Sequence, residues 1–375
     1  MTTLDEIVRS SSVVVCCGSG GVGKTTTAAL IALRAANEGR RSVVVTIDPA
    51  RRLADALGLE GLTNSPARID GVTSPDGTGE MWAMMLDTKA TFDGLVERYS
   101  ANPVQSERIL SNGFYQNISG SLSGTQEYMA SEKLYELAVE GGFDLVVVDT
   151  PPTRNALDFI DAPQRLAQFL SHPLYRVFMA PRGGIVKAVN LAAQALTRSI
   201  AKVVGAEVIG DAVAFFQAFE GMERGFAERA RHVEHLLAAP GTAFVLVASP
   251  KADTVAEADY FADRLHDHGI RVRGLVVNRM QPSFAGATGA EESMATGADA
   301  VRARAATLAG TALGDLYTCL ADARELARDE EAHLVGLAAR IDEAPLVRVP
   351  VQAFEVTDLE ALSALGDVMF ADPTV

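Results

Sequence analysis

A glycine-rich loop between a strand-like and a helix-like segment is the feature that most constrains this chain. Residues 18–25 read Gly-Ser-Gly-Gly-Val-Gly-Lys-Thr and fit the pattern G-x-x-x-x-G-K-[ST]. The loop follows a continuous apolar run, Val13 to Cys17, and precedes an Ala- and Leu-rich stretch without Gly or Pro, Lys24 to Asn37. The run is typical of a parallel strand buried on both faces, and the stretch is typical of a helix. The sequence therefore predicts a strand, a phosphate-binding loop and a helix, in that order.

Each residue type in this loop has a role in binding a nucleotide. Glycines let backbone N–H groups turn inward around phosphates, and the amino terminus of the following helix adds positive potential. Lys24 is predicted to reach the β- and γ-phosphates, and the Thr25 hydroxyl is predicted to ligate Mg²⁺. A glycine turn without a ligand is the alternative, but it gives the lysine and threonine no reason to follow the third glycine. We expect Mg-ATP to bind at Gly18, Ser19, Gly20, Gly21, Val22, Gly23, Lys24, Thr25 and Thr26.

Further strand-like runs alternate with helix-like segments. The predicted strands are Val13–Cys17, Ser42–Ile47, Met81–Leu86, Phe143–Val148, Ala243–Ala248, Val272–Val277 and Leu346–Val351. This alternation favours an α/β fold with a doubly wound, mostly parallel sheet. Between Pro163 and Ala239 the strand signal disappears and apolar residues recur at spacings of three and four, which predicts an α-helical insertion. The predicted division is a nucleotide-binding core of residues 1–162 and 240–375, interrupted by an insertion of residues 163–239.

Two aspartates follow predicted strands, at the edge where an open α/β sheet holds its ligands. Asp149 comes after an apolar run and is predicted to hold the Mg²⁺ shell, as the acid of a Walker B strand. Asp48 follows the second strand and is predicted to orient or deprotonate the water that attacks the γ-phosphate. An aspartate at a strand end is also a common helix cap or turn residue, so a structural role stays open for both.

Charge and composition exclude several classes of partner. The formal net charge of −15 would repel the phosphate backbone of a nucleic acid. The first residues, MTTLDEIVRSSS, hold no apolar stretch, and no run of about 18 apolar residues occurs elsewhere. Cys16, Cys17 and Cys319 form no C-x-x-C pair for a structural zinc. We expect a cytoplasmic protein without a nucleic-acid partner and without stable membrane insertion.

Several segments, taken in order, resemble the ArsA-type ATPases. They are GSGGVGKTTT, TIDPARRLADAL, FDLVVVDTPPT, LVVNRMQP and PLVRVPVQAFEVTDLEAL. The family includes the arsenite-pump ATPase and the guided-entry ATPase that targets tail-anchored membrane proteins. The resemblance implies a P-loop NTPase with a deviant Walker A loop, which hydrolyses ATP and works as a dimer that closes on ATP. It also implies that Asp48 activates the water, that Thr25 and Asp149 serve Mg²⁺, and that Asn278 contacts adenine. A strand-end turn is the alternative role of Asn278.

The chain departs from the family pattern inside the loop. The family normally begins G-K-G-G, with a lysine that reaches a phosphate across the dimer, but Ser19 stands at that position here. Arg51 and Arg154 also differ from the usual switch residues, and each is either a replacement for the missing charge or an exposed, ion-paired arginine. The family's C-x-x-C zinc pair, its arsenite-binding cysteines and a second P-loop have no counterpart in this sequence, which disfavours arsenite or anion export.

Two functions from different classes fit these observations. The resemblance implies a bacterial-type, ATP-hydrolysing dimeric switch that handles a hydrophobic or membrane-protein cargo. The alternative is a weakly hydrolysing or non-hydrolysing regulatory subunit of a heterodimer, paired with a lysine-bearing paralogue. A partition-type ATPase would carry the lysine and a basic patch or membrane helix, whereas the tail DLEALSALGDVMF is acidic. The apolar stripes of the insertion either pack against neighbouring helices or form the cargo surface.

Overall fold

One sheet occupies the centre of the protein. The computed structural model describes residues 3–48, 50–72, 74–118, 125–151, 158–171, 206–282, 284, 298–341 and 344–371. In these residues the strands are β1 (Val13–Cys17), β2 (Arg41–Thr46), β3 (Ala67–Arg68), β4 (Glu80–Met85), β5 (Leu145–Asp149), β6 (Thr242–Ala248), β7 (Val272–Met280) and β8 (Leu346–Pro350). Their order is β3-β4-β2-β5-β1-β6-β7-β8. All neighbouring pairs are parallel except β3 with β4, which confirms the predicted mostly parallel sheet.

Helices cover both faces of this sheet. They are α1 (Leu4–Ser10), α2 (Lys24–Asn37), α3 (Arg52–Ala56), α4 (Thr88–Tyr99), α5 (Pro103–Leu110), α6 (Gly113–Ile118), α7 (Thr125–Tyr135), α8 (Asp158–Ser171), α9 (Ala206–Ala218), α10 (Glu223–Ala238), α11 (Ala252–Asp267), α12 (Ala298–Thr307), α13 (Ala312–Arg340) and α14 (Leu359–Met369). A π-helical turn, Glu136–Glu140, follows α7. Of the helices described, none combines the length and apolar character needed to cross a membrane.

The two faces of β1 belong to different apolar clusters. Val13 and Val15 pack into one cluster with residues of α11 and α13, while Val14 and Cys16 pack into the other with residues of α1 and α2. Successive side chains of a strand point to opposite faces, so a strand between two helical layers must be apolar at every position. This explains the unbroken run that predicted β1, and it fixes the doubly wound arrangement.

The start of β5 differs from the prediction. The strand begins at Leu145 rather than Phe143, because the carboxylate of Asp144 accepts the backbone N–H of Arg41 at 2.8 Å. The Phe143 ring packs against the Arg41 guanidinium, 4.8 Å from its centroid. Phe143 therefore packs against the first residue of β2 and lies outside the ladder.

A third apolar cluster forms a helical layer of its own. Its residues come from α4, α5, α6 and α7, which precede β5, and from α8, α9 and α10, which follow β5. Tyr115 of α6 stacks on Phe215 of α9 with ring centroids 5.9 Å apart, and Tyr99 of α4 contacts Phe226 of α10 at 5.1 Å. The layer is thus built from two stretches of the chain, and the helical periodicity predicts the one that follows β5.

Among its described residues, the predicted insertion consists mainly of helices, with a turn at residues 219–222 between α9 and α10. Pro163 lies inside α8, and the boundaries at 162/163 and 239/240 stay predictions. The second predicted apolar stripe consists of Val213, Phe216, Met222, Phe226, Val233 and Leu237. Val213 and Phe216 are half-buried and the other four are buried, so the stripe packs largely inside the protein. The first stripe, Ile185 to Val203, lies outside the described residues.

Candidate functional site

The glycine-rich loop leads from the carboxyl end of β1 into α2. Gly18 and Gly23 have positive φ angles of 152° and 99°. A Cβ at Gly18 would overlap the carbonyl oxygen of Val247 in β6, and a Cβ at Gly23 would overlap the side-chain nitrogen of Asn278 in β7. Glycine is therefore required at both positions, for its backbone freedom and for the close approach of two strands. The loop forms a tight cradle of main-chain atoms at the start of α2, the geometry that holds phosphates.

The Lys24 side chain bends back toward the loop. Its Nζ donates to the carbonyl oxygen of Ser19 at 2.7 Å, and the residue is buried. Burial lowers the pKa of the Lys24 ammonium, while the carboxylate of Asp149 acts in the opposite direction. A buried cation whose described hydrogen-bond acceptor is a neutral carbonyl gains from an anion placed beside it. The site therefore favours a phosphate group next to Lys24.

Asp149, the last residue of β5, is the acid at the centre of the site. Its Oδ2 accepts from the hydroxyls of Thr25 at 2.8 Å and Thr46 at 2.9 Å. Its Oδ1 is buried and has no hydrogen-bond partner among the described residues. Burial raises the pKa of the Asp149 carboxyl, against the lowering effect of the two hydroxyls.

These donors fit Mg²⁺. Mg²⁺ in phosphate-binding sites takes one or two protein oxygens and completes its shell with phosphate oxygens and waters. The orphan oxygen of Asp149 and the neighbouring Thr25 hydroxyl supply such a set. No cluster of three or more His, Cys, Asp or Glu side chains occurs in the part of the chain that the structure describes, so no cage made of protein alone competes with this arrangement there.

Asp48 lies just beyond β2, on the loop before α3. Its backbone N–H donates to the Thr46 hydroxyl at 3.3 Å, and its Oδ1 accepts from the N–H of Ala50 at 3.0 Å. Its Oδ2 lies 3.5 Å from Nη1 of Arg52. The carboxylate thus closes an Asx turn with one oxygen and forms an ion pair with the other, which corresponds to the structural role that the sequence left open. Its role in activating water stays a prediction.

Asn278 holds the loop from the other side. Its Nδ2 donates to the carbonyl oxygen of Val22 at 3.0 Å, and its Oδ1 accepts from the N–H of Arg279 at 2.9 Å. The strand β7 continues past its predicted end to include Asn278. The residue therefore holds the P-loop through Val22, and its contact with adenine stays a prediction.

A model of the anion-transporting ATPases, the ArsA-type family, matches residues 11–288, a span that contains the P-loop, both aspartates and Asn278. The chain belongs to this family. ATPase ARSA1 of Chlamydomonas reinhardtii is 26% identical over 370 residues, covering 93% of this chain and 41% of that protein. ATPase ARSA2 of the same alga is 26% identical over 263 residues, which cover 69% of this chain and 65% of that protein. ATPase get3 of Aspergillus niger is 26% identical over 182 residues, which cover 45% of this chain and 51% of that protein. The matched stretches thus span 41 to 65% of these relatives.

Of the two arginines singled out by the sequence, the structure describes Arg51. The Arg51 guanidinium lies beside Gly61, where its Nη2 would be 3.7 Å from a Cβ at that glycine. Arg154 lies outside the described residues. The ion pair with Asp48 is instead formed by Arg52, which the sequence analysis had passed over.

Thr46 is the residue that joins the two acids of the ArsA-type site. Its hydroxyl donates to Asp149 and accepts from the N–H of Asp48, so one oxygen fixes the position of both. Thr46 carries no signal of its own in the sequence, because a threonine within a strand is ordinary. A hydroxyl two residues before a strand-end aspartate is the signal that could have found it.

We expect Thr46→Val to weaken Mg-ATP binding about 10- to 100-fold, because a hydrogen bond to a charged group contributes about 1.5–3 kcal/mol and 1.4 kcal/mol is tenfold. Thr46→Ser keeps the hydroxyl and should bind normally. Calorimetric titration with ATP in Mg²⁺ and in EDTA measures the effect. Equal losses for both variants, or an equal loss in EDTA, would show that Thr46 acts through packing alone.

Proposed function

We propose that this chain binds Mg-ATP and hydrolyses it to ADP and inorganic phosphate. The observation that carries the proposal is the buried Asp149 carboxylate, with one oxygen held by Thr25 and Thr46 and the other without a partner among the described residues. Leaving such an oxygen unsatisfied costs about 1–3 kcal/mol, which a bound cation would recover. Lys24 on the adjoining loop supports the same reading, since it gains from a phosphate.

On binding, Lys24 exchanges the Ser19 carbonyl for oxygens of the β- and γ-phosphates. Thr25 and Asp149 are the residues that would hold Mg²⁺, which when bound neutralises charge on the phosphates. Asn278 keeps the loop in its binding shape through Val22. These steps use side chains that already lie together, so binding requires little rearrangement of the P-loop.

Hydrolysis then requires a water in line with the γ-phosphorus. The water oxygen forms a bond to phosphorus, the bond from phosphorus to the β,γ-bridging oxygen breaks, and ADP leaves with the electron pair. Asp48 accepts the proton of the water through Oδ2. That oxygen is ion-paired with Arg52 in this structure, so Arg52 must release it before the proton transfer.

We propose further that nucleotide binding is passed to the helical layer, where a hydrophobic or membrane-protein cargo would be handled. Gln126, at the start of α7, donates to the carbonyl oxygen of Ile47, next to Asp48, at 3.2 Å. Further along α7, Glu132 accepts from Arg229 of α10 at 2.5 Å, and both residues are buried. The helix α7 thus connects the Asp48 loop to α10. A shift of that loop would therefore displace α7 and, through the Glu132–Arg229 pair, α10.

Hydrogen exchange tests this coupling. On adding Mg-ATP, protection should rise at the P-loop and change in α7 and α10. Gln126→Ala removes the contact with Ile47 and should abolish the response of α10 while the P-loop still responds. Gln116→Ala is the matched control, because Gln116 bonds locally to the Leu110 carbonyl oxygen. A response limited to the P-loop in the unmodified protein would overturn the coupling.

A second function is favoured by Ser19. The residue is buried, it carries no charge, and its hydroxyl has no hydrogen-bond partner in the described part of the chain. A subunit with this loop would bind ATP but hydrolyse it weakly, and it would depend on a lysine-bearing paralogue in a heterodimer. We propose a cytoplasmic dimer of one of these two kinds. Single-turnover hydrolysis of bound Mg-ATP by the purified chain separates them.

A further inference from the structure

Arg52, in the first turn of α3, is ion-paired with the acid proposed to activate water. Its Nη1 lies 3.5 Å from Oδ2 of Asp48. The Arg52 side chain is 57% exposed, whereas that of Asp48 is 14% exposed. Among the described residues, the guanidinium is paired with one carboxylate, at the end of a largely exposed side chain. An ion pair with one exposed partner is weak, and a more highly charged anion competes with it.

Hydrogen bonds also link the Arg52–Asp48 pair to the P-loop. Asp48 donates its backbone N–H to the Thr46 hydroxyl, and that hydroxyl and the hydroxyl of Thr25 donate to the same oxygen of Asp149. Arg52 and Lys24 thus lie on segments that converge at the carboxyl ends of β1 and β2. Two cations close together repel each other, and an anion placed between them offsets this repulsion. The phosphates of ATP are such an anion.

Phosphoryl transfer needs cationic groups at the γ-phosphate oxygens, because negative charge is spread over them in the transition state. Among the described residues, the P-loop offers Lys24, and Ser19 adds a neutral hydroxyl. Arg52 brings the additional charge on the same chain. Its neighbour Arg51 lies beside Gly61 and does not take this position.

We propose that Arg52 moves from Asp48 to the γ-phosphate during hydrolysis and acts there as a catalytic cation supplied in cis. This inference rests on the proposed ATPase function. Arg52 donates hydrogen bonds and forms no covalent bond. Its departure frees Oδ2 of Asp48 to accept the proton of the attacking water. One movement thus supplies the cation at the γ-phosphate and frees the base.

The test compares Arg52→Ala, Arg52→Lys and the matched control Arg51→Ala. Calorimetry measures the affinity of each for Mg-ATP and for ADP with Mg²⁺ and aluminium fluoride, a mimic of the transition state. An arginine supplied to such a site is worth about 10³ to 10⁵ in rate, and we expect Arg52→Ala to lose about 10² or more in affinity for the mimic. Affinity for Mg-ATP should change by less than about threefold, since little charge has developed in the ground state. Arg52→Lys should recover part of the loss, and Arg51→Ala should bind both ligands normally.

A double-mutant cycle separates a direct role from action through Asp48. If Arg52 contacts the phosphate, Arg52→Ala still weakens binding of the mimic in the Asp48→Asn background. A loss that disappears in that background makes Arg52 a positioning residue and overturns the proposal. Equal affinity of Arg52→Ala and Arg51→Ala for the mimic also overturns it. Failure of the unmodified chain to bind Mg-ATP at all is a different outcome, because it removes the proposed function itself.

Discussion

Lys24→Ala is expected to weaken Mg-ATP binding about 100-fold. The ammonium would pair with oxygens of two phosphates, each charged hydrogen bond contributes about 1.5–3 kcal/mol, and 1.4 kcal/mol corresponds to tenfold. The folded protein should not lose stability, since burial already disfavours the charged form of Lys24, as its lowered pKa indicates. Calorimetry gives the affinity, and thermal unfolding without nucleotide gives the stability.

Lys89→Ala is the control for this variant. Lys89 is exposed and pairs with Asp93 on the surface of α4, so its removal should leave nucleotide binding unchanged. An unchanged dissociation constant for Lys24→Ala would remove the P-loop assignment. A large fall in the unfolding temperature would show instead that Lys24 supports the loop through its bond to Ser19.

Asp48→Asn should keep Mg-ATP affinity and lower turnover by about 10² to 10⁴, the usual contribution of a general base. The amide can still accept from Ala50 and close the turn, but it cannot take a proton from water. Rapid-quench kinetics with saturating Mg-ATP measures the rate, and calorimetry measures the affinity. Asp55→Asn, on the exposed side of α3, is the matched control and should behave as the unmodified chain.

The outcome for Asp48 distinguishes its two possible roles. A structural aspartate that only closes the Asx turn would be replaced by asparagine without loss of rate, because asparagine closes the same turn. Equal loss of affinity and rate would show that the loop between β2 and α3 has moved.

The first strand, loop and helix could be predicted from the sequence to the residue. The bounds of β1 and α2 match the predicted ones because three local sequence signals agree there: an apolar run, a group of glycines, and an uninterrupted helix-forming stretch. The structure places Gly18, Gly21 and Gly23 at positive φ. Asp149 and Asp48 could be located for a related reason. Strands of a parallel sheet bring their carboxyl ends to one edge, so residues distant in sequence meet there.

The contacts around these residues could not be predicted in the same way. Thr46 and Arg52 look ordinary in the sequence, and their importance comes from which oxygen each one faces. The strand β3 has two exposed residues and no apolar pattern, so it gives no signal. The part of the helical layer that precedes β5 could not be predicted from the sequence. Its cluster joins helices on either side of β5, and periodicity within one segment does not identify the segment it packs against.

Single-turnover hydrolysis by the purified chain tests the central claim most directly. With the protein in excess over γ-labelled Mg-ATP, and with binding measured in the same preparation, the account predicts that bound ATP is converted to ADP and phosphate by the unmodified chain. Conversion should need Mg²⁺ and should be slowed by Asp48→Asn although ATP is still bound. Tight binding with no conversion by the unmodified chain would contradict the claim and would assign the protein to the regulatory-subunit alternative that Ser19 raises.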